Sequence, residues 1–169
     1  NALSEEFEIA SIREGKSVRA LFGKGELINA GKPESSTEKS GTSVRFVPDP
    51  QLFPKYDYDL AVVRRRLWNY AYLNRNLTLI LNGERFKSEN GLLDLLREEV
   101  QEENLYPPIH ASVTHVEFSF THTDRYGEEH FSYVNGHYTN DGGSHLSAFR
   151  EGVLKGVNQF FKTSFDGPD

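Results

Sequence analysis

The chain has 169 residues, of which 37% are hydrophobic and 12% aromatic, enough for one ordinary domain or two small ones with a real core. It contains no Cys, which removes disulfide and thiolate chemistry, and its net charge of −6 argues against DNA binding by its surface as a whole. Mean hydropathy is −0.59 and no apolar run approaches the ~20 residues of a membrane span. No basic segment followed by an apolar one stands at the start, so no signal peptide is expected. Position 1 is Asn rather than Met, and the expectation is an internal piece of a longer protein.

Glu6 to Ile12 alternates polar and apolar residues, the period of a half-buried strand. Arg13-Glu14-Gly15-Lys16 turns it, and Val18, Ala20 and Phe22 share a face of the returning strand. From Gly23 to Gly41 the chain is polar, and Asn29 to Ser40 reads as a surface loop. Thr42 to Val47 is a third strand, stopped by Pro48 and Pro50, which lack the N–H a ladder needs.

A helix is expected from Asp57 or Tyr58, with Leu60, Val63, Leu67 and Tyr70 on one face. Asn76 to Asn82 alternates as a strand and Asn82-Gly83-Glu84 turns. A second helix is expected over Gly91 to Gln101. Ser112 to His122 then reads as one long strand, Arg125-Tyr126-Gly127 as its turn and Glu129 to Val134 as its partner. Leu146, Phe149, Val153, Val157 and Phe160 form the stripe of a last amphipathic helix, with Ser144 as its expected N-cap. The order predicts an α+β fold in two halves, divided near Asn90.

Several patterns invite chemistry. His110, His115, His122, His130, His137 and His145 lack the spacing of a zinc motif, and a metal site is not expected. His115 and His122 are expected on opposite sides of the long strand. His145, beside Gly142-Gly143 at a helix start, reads as a local helix-start residue, with anion binding as the alternative. Asp141, Ser144 and His145 are too close in sequence to reproduce a triad assembled from distant segments. Gly23-x-Gly25 lacks the third glycine and Lys-Ser/Thr of a phosphate loop. Arg64-Arg65-Arg66 reads as a solvated helix face with packed aliphatic stems, and phosphate contact is the alternative.

Four blocks, in order, carry a resemblance: Asn1-Ala2-Leu3-Ser4; Gly41-Thr42-Ser43-Val44-Arg45-Phe46-Val47-Pro48-Asp49; Arg66-Leu67 with Leu73-Asn74; and Asn135 to Phe149, which contains Gly142-Gly143-Ser144-His145. Together they frame nearly the whole chain, and it resembles the ATPase subunit of bacterial type IIA DNA topoisomerases. Ser88 to Leu92 and Thr121 to Glu129 lean toward the B subunit of topoisomerase IV, with the B subunit of DNA gyrase as the close alternative. Another GHKL ATPase, such as a mismatch-repair protein, is a further alternative, and a plain interaction module is the third.

The resemblance implies that residues 1–90 are the back half of a GHKL-type ATPase domain. Residues 91–169 would open a transducer of ribosomal-protein-like fold. It implies ATP and Mg²⁺ as cofactors of the whole protein. It also implies duplex DNA, the topoisomerase A subunit and a second B subunit as partners, and a cytoplasmic location. The family's general base, Mg²⁺-binding Asn, adenine-reading Asp, phosphate lid and transducer Lys match nothing in this chain. No catalytic residue is therefore assigned, no nucleotide is expected bound to the piece, and it is expected to lack ATPase activity by itself. What carries over is one wall of the pocket. Thr42 matches a hydroxyl beside the adenine-reading Asp, Val44 a side chain packed on adenine, and Arg13 a rim Arg that contacts coumarin-type inhibitors. Without the resemblance, Thr42 and Val44 are ordinary strand residues and Arg13 a solvated turn residue.

Overall fold

Four two-residue loops set the geometry of the β structure. Glu14-Gly15, Lys24-Gly25, Asn82-Gly83 and Asn135-Gly136 all have positive φ at both positions, between 50° and 90°. That backbone matches the right-handed twist of the flanking strands, which is why X-Gly pairs sit in tight hairpins. The computed structural model describes residues 1–165. These fall into two compact units, one of Asn1–Asp59 and one from Leu60 onward.

The first unit is a five-stranded antiparallel sheet. β1 (Ser4–Arg13), β2 (Lys16–Gly23), β3 (Glu26–Ala30) and β5 (Gly41–Pro48) lie in the order β3-β2-β1-β5, and β4 (Glu34–Ser35) pairs with β2. The loop expected over 29–40 is thus shorter than its composition suggests. Lys24-Gly25 folds Leu27, Ile28 and Asn29 back along β2, with Leu21 opposite Asn29 and Phe22 opposite Leu27. Register then decides the faces. Phe7 lies opposite both Phe22 and Phe46, Ile9 opposite Ala20 and Val44, and Ser11 opposite Val18 and Thr42. One face is therefore mainly apolar. The other carries Glu6, Glu8, Arg19 and Arg45, tied by Arg45–Glu6 at 2.6 Å and Arg19–Glu8 at 3.5 Å, with Ala10 and Ile12 buried among them.

The second unit opens with α1 (Leu60–Leu73), followed by the hairpin of β6 (Leu79–Leu81) and β7 (Glu84–Phe86) and by α2 (Leu92–Val100). Its core is Ala71, Tyr72, Phe86 and Leu95. Trp68 stacks on Tyr72 at 5.4 Å and meets Phe86 edge-on at 5.4 Å, the favoured geometries for aromatic rings. The expected strand over 76–82 is confined to three residues, and the first helix begins two or three residues later than expected.

The long strand expected over 112–122 is instead a hairpin of β8 (Ile109–Val113) and β9 (Val116–Phe120). His115 takes φ 69° in the turn. With no glycine or proline there, alternation runs through Thr114-His115 unbroken and hides the reversal. His115 consequently sits in a turn, not on a strand face opposite His122. The expected partner over 129–134 is replaced by a separate small hairpin, β10 (Tyr133–Val134) with β11 (His137–Tyr138). α3 (Ser144–Phe161) follows. Its cap is Gly143, with Ser144 already inside the helix, and no side chain caps it. Phe118 and Phe120 of β9 meet Phe149 of α3 at 5.1 and 5.7 Å.

The order of elements in the sequence divides the chain near Asn90, between the β6–β7 hairpin and α2. The compact units divide at a different place, Asp59/Leu60.

Candidate functional site

Thr42 and Val44 stand on β5, at one end of the strand order. Strand side chains alternate, so both point to the apolar face, in line with Phe46. Val44 and Phe46 are each 52% exposed, Val18 is 42% exposed, and Thr42 is exposed. Arg13 lies two residues beyond Ser11 on β1, and Ser11 is opposite Thr42, so alternation puts Arg13 on the same face. Its guanidinium is largely exposed and stands 3.4 Å from Glu14. The sheet thus brings all three sequence-assigned residues to one open surface: an apolar floor, a hydroxyl able to donate and accept, and a cation at the rim.

This face suits a flat, apolar ligand edged with polar atoms. Thr42 and Val44 fit the side of an adenine, and Arg13 fits a planar or anionic group, because a guanidinium stacks and hydrogen-bonds at once. The residues fit one wall of a nucleotide site. Among the described residues no three His, Asp or Glu side chains are grouped to hold a metal.

Three of the histidines are engaged in hydrogen bonds within the fold. His122 meets the Tyr106 hydroxyl, and His110 Nε2 lies 3.0 Å from Glu117. His145 Nε2 lies 2.5 Å from the hydroxyl of buried Ser132, which also accepts from Thr139 Oγ1 at 2.7 Å. The helix-start reading of His145 gains a specific partner, a side-chain hydroxyl rather than local backbone. Arg64 is paired with Glu84 at 2.8 Å.

Sequence reasoning missed two constellations. Asp94, in the first turn of α2, accepts from Ser88 Oγ at 2.7 Å, from the Asn90 N–H at 3.0 Å and from Asn90 Nδ2 at 2.9 Å. Burial opposes its ionisation, but these bonds and one from the Glu89 backbone outweigh it and hold the carboxyl below its usual range. No capping-box spacing announced it, because Asn90 and Asp94 stand four residues apart rather than three. The second is Glu117. A lone carboxylate among Val116, Phe118 and Phe120 looked like an outward residue of an alternating strand, and nothing local revealed its partners.

Residues 81–166 match the family model described as DNA gyrase B. The chain belongs to the DNA gyrase B family. It is 45% identical, over its whole length, to the DNA topoisomerase 4 B subunit of Borreliella burgdorferi, and 34% identical over 96% of its length to the DNA gyrase B subunit of Thermus thermophilus. It spans 28% of the length of each of these relatives. Its structure matches the 43K ATPase domain of Thermus thermophilus gyrase B, solved in complex with an aminocoumarin, with a TM-score of 0.82 and 32% identity. That match covers 99% of this chain and 51% of the other. The gyrase B subunit of Myxococcus xanthus shares the fold, with a TM-score of 0.80 at 18% identity. The α+β architecture is that of the GHKL and transducer region of gyrase-type B subunits. Among the described residues no helix is long and apolar enough to cross a membrane.

Proposed function

We propose that this chain is a segment of the ATP-binding B subunit of a cytoplasmic type II DNA topoisomerase, of the topoisomerase IV kind. Residues up to about Asn90 form the back of its GHKL-type ATPase domain, and residues from Gly91 open its transducer. The observation that carries the reading is the 45% identity along the whole chain to a topoisomerase IV B subunit. The likeness to a gyrase ATPase domain holding an aminocoumarin supports the nucleotide side of it.

In this reading the Thr42–Val44 face is one wall of the ATP site. Val44 packs on the adenine, and the Thr42 hydroxyl bonds to the group that reads the adenine edge. Arg13 lines the rim, where an aminocoumarin would meet it. Bound ATP with Mg²⁺ supplies the γ-phosphate chemistry through groups elsewhere in the whole protein. Residues of this chain position the base and exclude water from its side. Closure of two B subunits around duplex DNA, with the A subunits completing the enzyme, couples nucleotide turnover to strand passage.

The test is reconstitution of the whole B subunit with its A subunit. The expected result is DNA-stimulated ATPase activity and ATP-dependent decatenation. Nucleotide binding without decatenation would refute the topoisomerase reading. The family match to DNA gyrase B favours gyrase as the second reading. ATP-driven introduction of negative supercoils would decide for it.

A further inference from the structure

The carboxylate of Glu117, on β9, gathers groups from two other elements and a loop. Oε1 accepts from the Leu92 N–H at 3.3 Å and lies 3.0 Å from His110 Nε2, while Oε2 stands 4.0 Å from the Arg75 guanidinium. Leu92 opens α2 and its N–H is one of the orphan donors of a helix start, where a negative charge is favoured by the helix dipole. His110 is on β8 and Glu117 on β9. Arg75 follows the end of α1.

Gly91 shows how closely these groups are drawn together. Its φ is 63°, and a Cβ there would lie 2.8 Å from Glu117 Oε1 and 3.1 Å from Arg75 Cγ. The backbone conformation favours glycine there, and a Cβ would push on the Glu117 carboxylate and the Arg75 stem where the α1 side and the transducer side meet. The Glu117 side chain is only 25% exposed, so its charge is weakly screened.

We infer that Glu117 is a positioning residue that mechanically couples the ATPase segment to the transducer. This rests on the function proposed above, because Arg75 lies on the ATPase side of Asn90 and Leu92, His110 and Glu117 lie on the transducer side. A displacement of Arg75 and the end of α1 is passed through the carboxylate to the start of α2 and to the β8–β9 hairpin. Without the charge, the end of α1 loses this link to the β8–β9 hairpin while the shared Ala71, Tyr72, Phe86 and Leu95 core still holds the elements together, and nucleotide turnover drives the lever less often.

The test compares Glu117→Gln and Arg75→Gln with wild type in the whole B subunit, paired with its A subunit. Glutamine keeps the shape and an acceptor for the Leu92 N–H but loses the charge. Nucleotide affinity and melting temperature are expected to stay near wild type. Strand passages per ATP hydrolysed are expected to fall by about 5-fold or more, the lower end of typical site-to-site couplings. The double variant is expected to be no worse than the singles, because both remove one link. If Glu117→Gln does not fold, Arg75→Gln, on a side chain 44% exposed, carries the test alone. An unchanged ratio of strand passages to ATP overturns the inference, as does a loss that merely follows nucleotide affinity or melting temperature. Wild-type enzyme without ATP-dependent strand passage overturns the function reading itself, and this inference with it.

Discussion

Replacing Asp94 by Ala removes the carboxylate that organises the start of α2. Three bonds at 2.7 to 3.0 Å are lost together. Hydrogen bonds to a charged group contribute about 1.5–3 kcal/mol. Ser88, only 2% exposed, also loses the acceptor for its hydroxyl, and an unmet buried donor costs about 1–3 kcal/mol. Asp94 retains some access to water, which trims both terms, so a loss of about 2–3 kcal/mol is expected. Urea denaturation of wild type, Asp94→Ala and Asp94→Asn measures it, with Asn expected between the other two. The pH dependence has a definite sign. The folded-state value is depressed, so the charge contribution is present above the unfolded carboxylate value of about 4 and is lost as pH falls through the folded one. The advantage of wild type over Asp94→Asn should therefore shrink on acidification below about pH 4. An Asp94→Ala change under about 0.5 kcal/mol, or a pH-independent difference from Asn, would refute the reasoning.

Phe86 is fully buried against Trp68, and Phe86→Ala should cost about 3–5 kcal/mol by urea denaturation, while Phe86→Leu should cost clearly less. Equal losses would contradict the volume argument, because leucine would then recover none of the packing. Ser132→Ala removes the buried hydroxyl shared by Thr139 and His145 and should cost about 1–2 kcal/mol. Faster amide exchange at Thr139, whose N–H donates to the Ser132 carbonyl at 2.8 Å, would localise the effect to the β10–β11 hairpin.

The central strands were legible because β1 and β2 alternate cleanly and Glu14-Gly15 announces their turn. Asn82-Gly83 was equally clear. Lys24-Gly25 was not, because the polar stretch after it looked like a loop, although pairing with β2 is enough to hold that segment as a strand. Thr114-His115 reverses the chain with no turn residue at all, so a hairpin read as one strand, and the segment expected as its partner pairs elsewhere. Alternation alone put Thr42 and Val44 on one face, whereas Arg13, read as a turn residue, joins them only through the β1–β5 register. Glu117 was illegible for the opposite reason. Its partners at 75, 92 and 110 are distant in sequence, and only the folded second unit brings them to one carboxylate.

The most direct measurement is nucleotide affinity of the whole B subunit with the β5 face altered. Val44→Glu sets a charge on a side chain that is 52% exposed and on the opposite sheet face from buried Ala10 and Ile12, so folding should survive. The account predicts at least tenfold weaker binding of a non-hydrolysable ATP analogue, equivalent to about 1.4 kcal/mol, with an unchanged melting temperature. Wild-type affinity in Val44→Glu would contradict the assignment of this face to the ATP site.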